Sequence, residues 1–144
     1  MGGAELMRKV IAGFEKSDLR PLFGAMHDEI VWKSASNHPG FLPFSGEYRT
    51  RSKVTEHLAK LSFNYTFYRM EPKEILEIGN IVWGLFDVRL HFDPKGTGLP
   101  EKSIALEMAI RWQIEDGKIV EHQAFFDTAS LFIQQSSPQP EVKL

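Results

Sequence analysis

The stretch from Asp116 to Gln135, DGKIVEHQAFFDTASLFIQQ, decides the fold. It opens with Asp116-Gly117, a pair typical of the tight turn of a β-hairpin. The alternation of apolar and polar residues after the turn predicts a strand. Asp127 then separates this strand from TASLFIQQ, which has a helical pattern. This order raises the question of whether the Asp127 carboxylate only caps a helix or belongs to an active site.

The turn also predicts how the two strands pair. If Asp116-Gly117 is a two-residue loop, Ile114 faces Ile119, and the pairs continue until Leu106 faces Asp127. Because side chains alternate across a strand, one face of the hairpin then carries Leu106, Met108, Ile110, Trp112, Ile114, Ile119, Glu121, Gln123, Phe125 and Asp127. This face is the more apolar one, so we expect it to lie under the helices. The opposite face, with Arg111 and His122, is expected at the surface or in a dimer interface.

Two interpretations of Asp127 remain open. In apolar surroundings the carboxylate loses hydration, and it could then serve as a general base near neutral pH. At a strand-to-helix junction it could instead accept hydrogen bonds from the free backbone N–H groups of the helix, as an N-cap. The two roles are compatible, since one carboxylate oxygen can cap the helix while the other stays free.

The rest of the chain places helices before strands. Helical stripes cover residues 6–14, 19–26 and 54–61, and a strand pattern covers residues 28–36. After residue 62 the chain consists of long β-type runs separated by turn residues. Helices followed by an antiparallel meander indicate an α+β domain rather than a βαβ fold. We predict one domain over residues 1–136 and a loose tail over residues 137–144.

Composition excludes several classes of protein. The chain has 144 residues, a net charge of −2 and no cysteine, which excludes disulfides and thiolate metal sites. It has no basic cluster for nucleic acid and no apolar run long enough to span a membrane. No motif for a phosphate, nucleotide, metal or other cofactor occurs. We therefore expect a cytoplasmic protein that uses neither cofactor nor metal.

Four segments together resemble a known superfamily. They are SDLRPLF at 17–23, IVW at 30–32, PFSGEYRTRSKVTEHLAKL at 43–61 and the hairpin–helix stretch at 116–135. This arrangement resembles the nuclear transport factor 2-like superfamily, whose cone-shaped α+β fold includes ketosteroid isomerase. It is most similar to the SnoaL-like branch, which includes polyketide cyclases. The resemblance implies three N-terminal helices packed on a strongly curved antiparallel sheet, with a short C-terminal helix.

The resemblance also implies a chemistry. In the cyclases a general-base aspartate lies near the end of the last strand, where this chain has Asp127. The implied reaction removes a proton next to a carbonyl and closes a ring in an aldol-type step, without a cofactor. Ketosteroid isomerase keeps its base after the first strand and a catalytic tyrosine in the helical region. This chain has no carboxylate in WKSASNHPG, at 32–40, and no tyrosine before Tyr48, so steroid-type isomerisation is not expected.

These arguments give one candidate site and two candidate functions. Asp127 and His38, which follows the first strand, are the catalytic candidates, since an imidazole can serve as a general base. The expected substrate-binding residues are Trp32, Met108, Ile110, Gln123 and Phe125. The first candidate function is a cofactor-free cyclase, isomerase or lyase acting on a small apolar or aromatic molecule. The second is a non-catalytic binding or dimerisation module, and in either case we expect a homodimer formed through the sheet face.

Overall fold

The structure is a computed structural model, which describes residues 1–38 and 45–136. Residues 39–44 of the Pro- and Gly-rich segment and the predicted tail at 137–144 lie outside the described residues. Within the described part, no helix is long and apolar enough to cross a membrane.

The described residues form four helices and six strands. The helices are α1 (Gly3–Glu15), α2 (Arg20–Ala25), α3 (Arg51–Ser62) and α4 (Thr128–Ser136). The strands are β1 (Met26–Lys33), β2 (Glu47–Arg49), β3 (Tyr65–Ile78), β4 (Ile81–Phe92), β5 (Lys102–Glu115) and β6 (Lys118–Phe125). The predicted helices and the five predicted strands are all present, and the strand predicted over residues 28–36 is β1. The short β2 was not predicted, because three residues are too few to show a period.

The strands form one curved, open sheet in the order β2-β1-β6-β5-β4-β3. The helices pack on its inner face, and the α+β class predicted from the sequence is confirmed. One pair differs from the expected antiparallel pattern, because β1 and β6 run parallel. The parallel pair arises because β1 and β6 come from opposite ends of the chain and are not joined by a hairpin.

Local sequence explains how the helices are placed. In α1, the buried residues Met7, Val10 and Ile11 form the stripe that faces the sheet. Gly84 in β4 lies beneath this helix, and a Cβ at that position would come within 2.8 Å of Met7 Sδ. In α3, Thr50 is the N-cap and its side chain accepts a hydrogen bond from the Lys53 N–H.

The β5–β6 hairpin begins as predicted and then shifts by one residue. Asp116 and Gly117 have positive φ values of 51° and 74°, as a type I′ turn requires, and Ile114 pairs with Ile119. The next pair is Gln113 with Glu121, so Val120 is an extra residue that forms a β-bulge.

The predicted register is therefore wrong from Val120 onward. Trp112 faces His122 instead of Glu121, and Ile110 faces Ala124 instead of Gln123. Because side chains alternate with a period of two, a shift of one residue moves every later side chain of β6 to the other face of the sheet. The inward residues of β5 were predicted correctly, since the bulge lies in β6 alone.

Candidate active site

A cavity of about 120 Å³ lies between the inner face of the sheet and the helices. Most of the side chains that line it are aliphatic or aromatic. They come from all four helices, from five of the six strands, and from residues next to these elements. Among the described residues, its few polar groups are the side chains of Ser34, His57, Tyr65 and His122 and the two indoles of Trp32 and Trp112. An apolar cavity of ~150 Å³ holds a benzene molecule. The cavity therefore has about the size needed for one ring.

A row of aromatic side chains crosses four strands on the inner face of the sheet, and three of them, Trp32, His122 and Trp112, line the cavity. Tyr48 in β2 pairs with Trp32 in β1, Trp32 pairs with His122 in β6, and His122 pairs with Trp112 in β5. Paired positions on neighbouring strands present their side chains on the same face of a sheet. The bulge at Val120 is what brings His122 into this row.

His122 is the central polar group of the row. Its side chain is almost fully enclosed, with a relative exposure of 5%. The Trp32 ring stacks on it with centroids 3.5 Å apart and planes 6° apart. Trp112 Nε1 donates a hydrogen bond to His122 Nδ1 over 2.9 Å. Burial lowers the pKa of His122 to about 3, because the charged imidazolium would lose its hydration, and the ring is therefore neutral at pH 7.

His57 brings a second imidazole to the cavity from α3. It lies three residues after Val54 and four before Leu61, on the apolar stripe of the helix. Its ring stacks on Tyr48 with centroids 3.8 Å apart. Burial, and to a smaller extent the positive charge of Lys60, lowers the pKa of His57 to about 4. His57 is therefore also neutral at pH 7.

Tyr65 and α4 close another side of the cavity. Burial raises the pKa of Tyr65 to about 12, and its hydroxyl donates to Gln135 Oε1 over 2.6 Å. The Gln134 amide pairs with both backbone groups of Ala105, accepting from its N–H over 3.0 Å and donating to its carbonyl over 2.9 Å. These contacts hold α4 against β5 beyond the end of β6, with Leu131 in the cavity wall.

Asp127 caps α4 and does not reach the cavity. Its Oδ1 accepts a hydrogen bond from the Ser130 N–H over 3.0 Å, so the predicted N-cap is confirmed. Its side chain is exposed, and the prediction that it faces the interior is wrong. The bulge at Val120 is the cause, because it places His122, Ala124 and Phe126 on the inner face instead of the residues between them.

The other predicted site residues divide into two groups. Trp32, Met108 and Ile110 line the cavity, as predicted from their strands. Gln123 and Phe125 are turned away from it by the same bulge, and Phe125 is 40% exposed. His38 is exposed and is not among the described residues that line the cavity. The structure therefore does not bring Asp127 and His38 together at a pocket.

Sequence reasoning missed both cavity histidines, although each left a signal, and the prediction that His122 lies at the surface or in a dimer interface is wrong, because its side chain is buried in the cavity wall. For His57 the signal is its place on the apolar stripe of α3. For His122 the signal is the consecutive apolar pair Ile119 and Val120 directly after the turn. Two adjacent apolar residues break strict alternation, and a bulge is one way in which a strand accommodates them.

Several solved structures have the same fold. TerC, crystallised with polyporic acid, has 21% identity and a TM-score of 0.74, with 92% of this chain and 97% of that chain covered. An NTF2-like protein of unknown function from Burkholderia pseudomallei has 20% identity and a TM-score of 0.77, with 95% and 100% covered. A provisional polyketide cyclase from Pseudomonas putida has 15% identity and a TM-score of 0.74, with 93% and 98% covered. At these identities the similarity establishes the fold alone.

A comparison with curated proteins gives no match. The sequence model of the SnoaL-like domain matches residues 7–122, well over half of the chain. This match includes most of α1, all of β1, the first five residues of β6, and the cavity histidines His57 and His122. The chain is therefore a member of the SnoaL-like domain family, within the NTF2-like superfamily that its fold and sequence had indicated.

Proposed function

We propose that the protein is a cofactor-free enzyme that moves a proton next to the carbonyl of a small, mostly apolar, ring-containing molecule, as a cyclase or isomerase does. The observation that carries this proposal is the apolar cavity with two buried, neutral imidazoles, His57 and His122. The family and the relatives of the same fold support a cyclase or isomerase. The co-crystal of TerC with polyporic acid supports a ligand site in a protein of this shape.

The lining of the cavity favours an uncharged ligand. Among the described residues, none of those lining it is Asp, Glu, Lys or Arg. A charged group would therefore lose its hydration on entry without gaining an ion pair, which is costly. A carbonyl oxygen needs only a hydrogen-bond donor, and the cavity offers imidazole, indole and hydroxyl groups. The volume limits the buried part of the ligand to about one ring.

The two histidines suit the two halves of the proposed reaction. One group must take the proton from the carbon next to the carbonyl, and another must stabilise the negative charge that develops on the carbonyl oxygen. We assign the first role to His57 and the second to His122. The C–H bond breaks, its proton moves to the free ring nitrogen of His57, and its electron pair forms the enolate. The protonated His57 then returns the proton to another carbon of the enolate, in an isomerase, or to the alkoxide that forms when the enolate attacks a second carbonyl, in a cyclase.

The low pKa of His57 in the empty cavity does not prevent this role. An enolate beside the ring is an opposite charge, and an opposite charge favours the protonated form of an imidazole. The proton transfer and the charge on the oxygen therefore support each other. Asp127 is not part of this mechanism, because its side chain is exposed and bound to the first turn of α4.

A second candidate function is a binding module that performs no chemistry. The observation that favours it is the pKa of about 3 for His122 and about 4 for His57, since both are weak bases when the cavity is empty. Such a protein would retain a small apolar molecule through burial and one or two hydrogen bonds.

Solvent deuterium exchange distinguishes the two functions. Acetophenone, which has one ring and exchangeable hydrogens next to its carbonyl, is incubated with the protein in D₂O, and deuterium incorporation is followed by NMR. The enzyme proposal predicts exchange well above the buffer rate, reduced by about 10²–10⁴-fold in His57→Gln while binding persists. Saturable binding with exchange at the buffer rate would establish the binding module. Absence of binding would contradict both functions for this class of ligand.

A further inference from the structure

We propose that Trp112 fixes the tautomer of His122, so that His122 presents an N–H donor to the cavity and selects ligands with an acceptor oxygen. This inference rests on the proposed function, because it concerns the ligand of the same cavity. It adds that the protein donates the hydrogen bond and the ligand accepts it. The selected class is ketones, quinones and enolates, whose oxygen accepts a hydrogen bond, over isosteric compounds that lack such an oxygen.

The direction of one hydrogen bond fixes the tautomer of His122. An indole Nε1–H can only donate. Trp112 Nε1 lies 2.9 Å from His122 Nδ1, so Nδ1 must offer its lone pair. A neutral imidazole carries one proton, and when Nδ1 accepts, that proton is on Nε2. The geometry of Trp112 therefore assigns the Nε2–H tautomer to His122.

The other ring nitrogen of His122, Nε2, faces the cavity. No described residue forms a hydrogen bond with Nε2, whereas every fully buried side-chain nitrogen and oxygen in the described part of the chain has a partner. Nε2 is therefore not fully buried. His122 is 5% exposed and lines the cavity, so this exposure is on the cavity side.

The imidazole ring of His122 stays neutral at pH 7. One ring face is covered by Trp32, and Nδ1 meets the N–H of Trp112. Among the described lining residues the only other titratable groups are His57 from α3 and Tyr65 from β3, and neither carries a negative charge at pH 7. A proton on Nδ1 would point at the Trp112 N–H and lose the hydrogen bond. Burial opposes the charged ring as well.

These three steps give His122 a defined role. A neutral N–H donor, preorganised in an apolar cavity, stabilises a carbonyl oxygen and stabilises it more as negative charge develops there. It offers nothing to a ligand that has no acceptor at this position, and the donor is then left unpaired. Trp112 is a positioning residue in this account, since it acts on the ligand through His122.

The tautomer can be measured without any ligand. Long-range ¹H–¹⁵N NMR spectra of the histidine side chains at pH 7 separate Nε2–H, Nδ1–H and charged imidazole rings. We expect His122 to show the Nε2–H form alone. In Trp112→Phe, which keeps a ring but removes the N–H, we expect a mixture of tautomers, whereas the matched control Trp83→Phe, on the outer face, should leave His122 unchanged. An Nδ1–H form or an imidazolium in the unaltered protein would overturn the inference.

A pair of ligands tests the selectivity. Acetophenone and α-methylstyrene have nearly the same shape, but only the ketone has an acceptor oxygen. We expect the ratio of their Kd values to shift by about tenfold against the ketone in His122→Leu, the size of one lost hydrogen bond in a cavity. An unchanged ratio would overturn the inference while the cavity function stands. If neither compound binds, the proposed function fails, and the NMR result still decides the tautomer.

Discussion

Trp32 and His122 stack with their ring centroids 3.5 Å apart, and they occupy paired positions on the two parallel strands of the sheet. The contact joins a residue from the first strand to a residue from the last. It exists because the bulge at Val120 turns His122 inward. The stack therefore connects the topology of the sheet to the polar group on which the proposed function depends.

The buried histidines predict a loss of stability in mild acid. An unfolded histidine takes up a proton near pH 6.5, whereas native His122 does so only near pH 3. Between these values the unfolded state binds more protons, so the free energy of unfolding falls as the pH falls. From pH 7 to pH 5 we expect His122 to contribute a loss of about 2 kcal/mol.

Urea denaturation at several pH values measures this effect. His122→Gln should be less stable at pH 7 and should lose about half of the pH dependence between pH 7 and pH 5, because buried His57 retains its own contribution. The matched control is His27→Gln, which replaces an exposed histidine. An equal slope in His122→Gln and in the unaltered protein would mean that native His122 is accessible to protons near pH 6.

The capping bond of Asp127 predicts a difference between two substitutions. Asp127→Ala removes the acceptor of the Ser130 N–H, and we expect it to lower the free energy of unfolding by about 0.5–2 kcal/mol. Asp127→Asn keeps an acceptor oxygen and should cost little. Both variants should retain any proton-exchange activity. A folded Asp127→Asn variant without activity would restore the general-base role that the resemblance implied.

Much of this architecture follows from sequence patterns. The helical stripes of α1 and α3 are regular, and Met108 and Ile110 lie on β5, whose alternation is strict, so the inward orientation of these two residues could be predicted. The face on which each β6 side chain lies could not be predicted, because one bulge residue, Val120, moves the later side chains of the strand to the opposite face. A turn fixes the register only as far as the first irregularity. Whether an extra residue is accommodated depends on packing across β1 and β5, which a local pattern does not contain.

An exposed apolar patch on the outer face of the sheet indicates that the chain forms a homodimer. Trp83 and Phe125 stack there with centroids 5.8 Å apart, and they are 39% and 40% exposed. Ala109 and Leu85 lie beside them at paired positions. We propose that a second copy of the chain covers this patch through an isologous contact.

Light scattering tests the proposed dimer. The unaltered protein should have about twice the chain mass of 16.5 kDa, and Trp83→Glu should shift it toward the monomer by placing a charge in the contact. Phe63→Glu is the matched control, since Phe63 is exposed at the end of α3 and away from the patch. A monomeric unaltered protein at micromolar concentration would remove the proposal.

The central claim is that the cavity is a binding site for a small apolar carbonyl compound, and the three tryptophans of the chain test it most directly. Trp32 and Trp112 line the cavity, whereas Trp83 lies on the outer face. The measurement is a titration with acetophenone, followed through the indole N–H signals in ¹H–¹⁵N NMR spectra. We predict saturable shifts of the Trp32 and Trp112 signals with a constant Trp83 signal. Constant Trp32 and Trp112 signals, or a shift of Trp83 alone, would contradict the account.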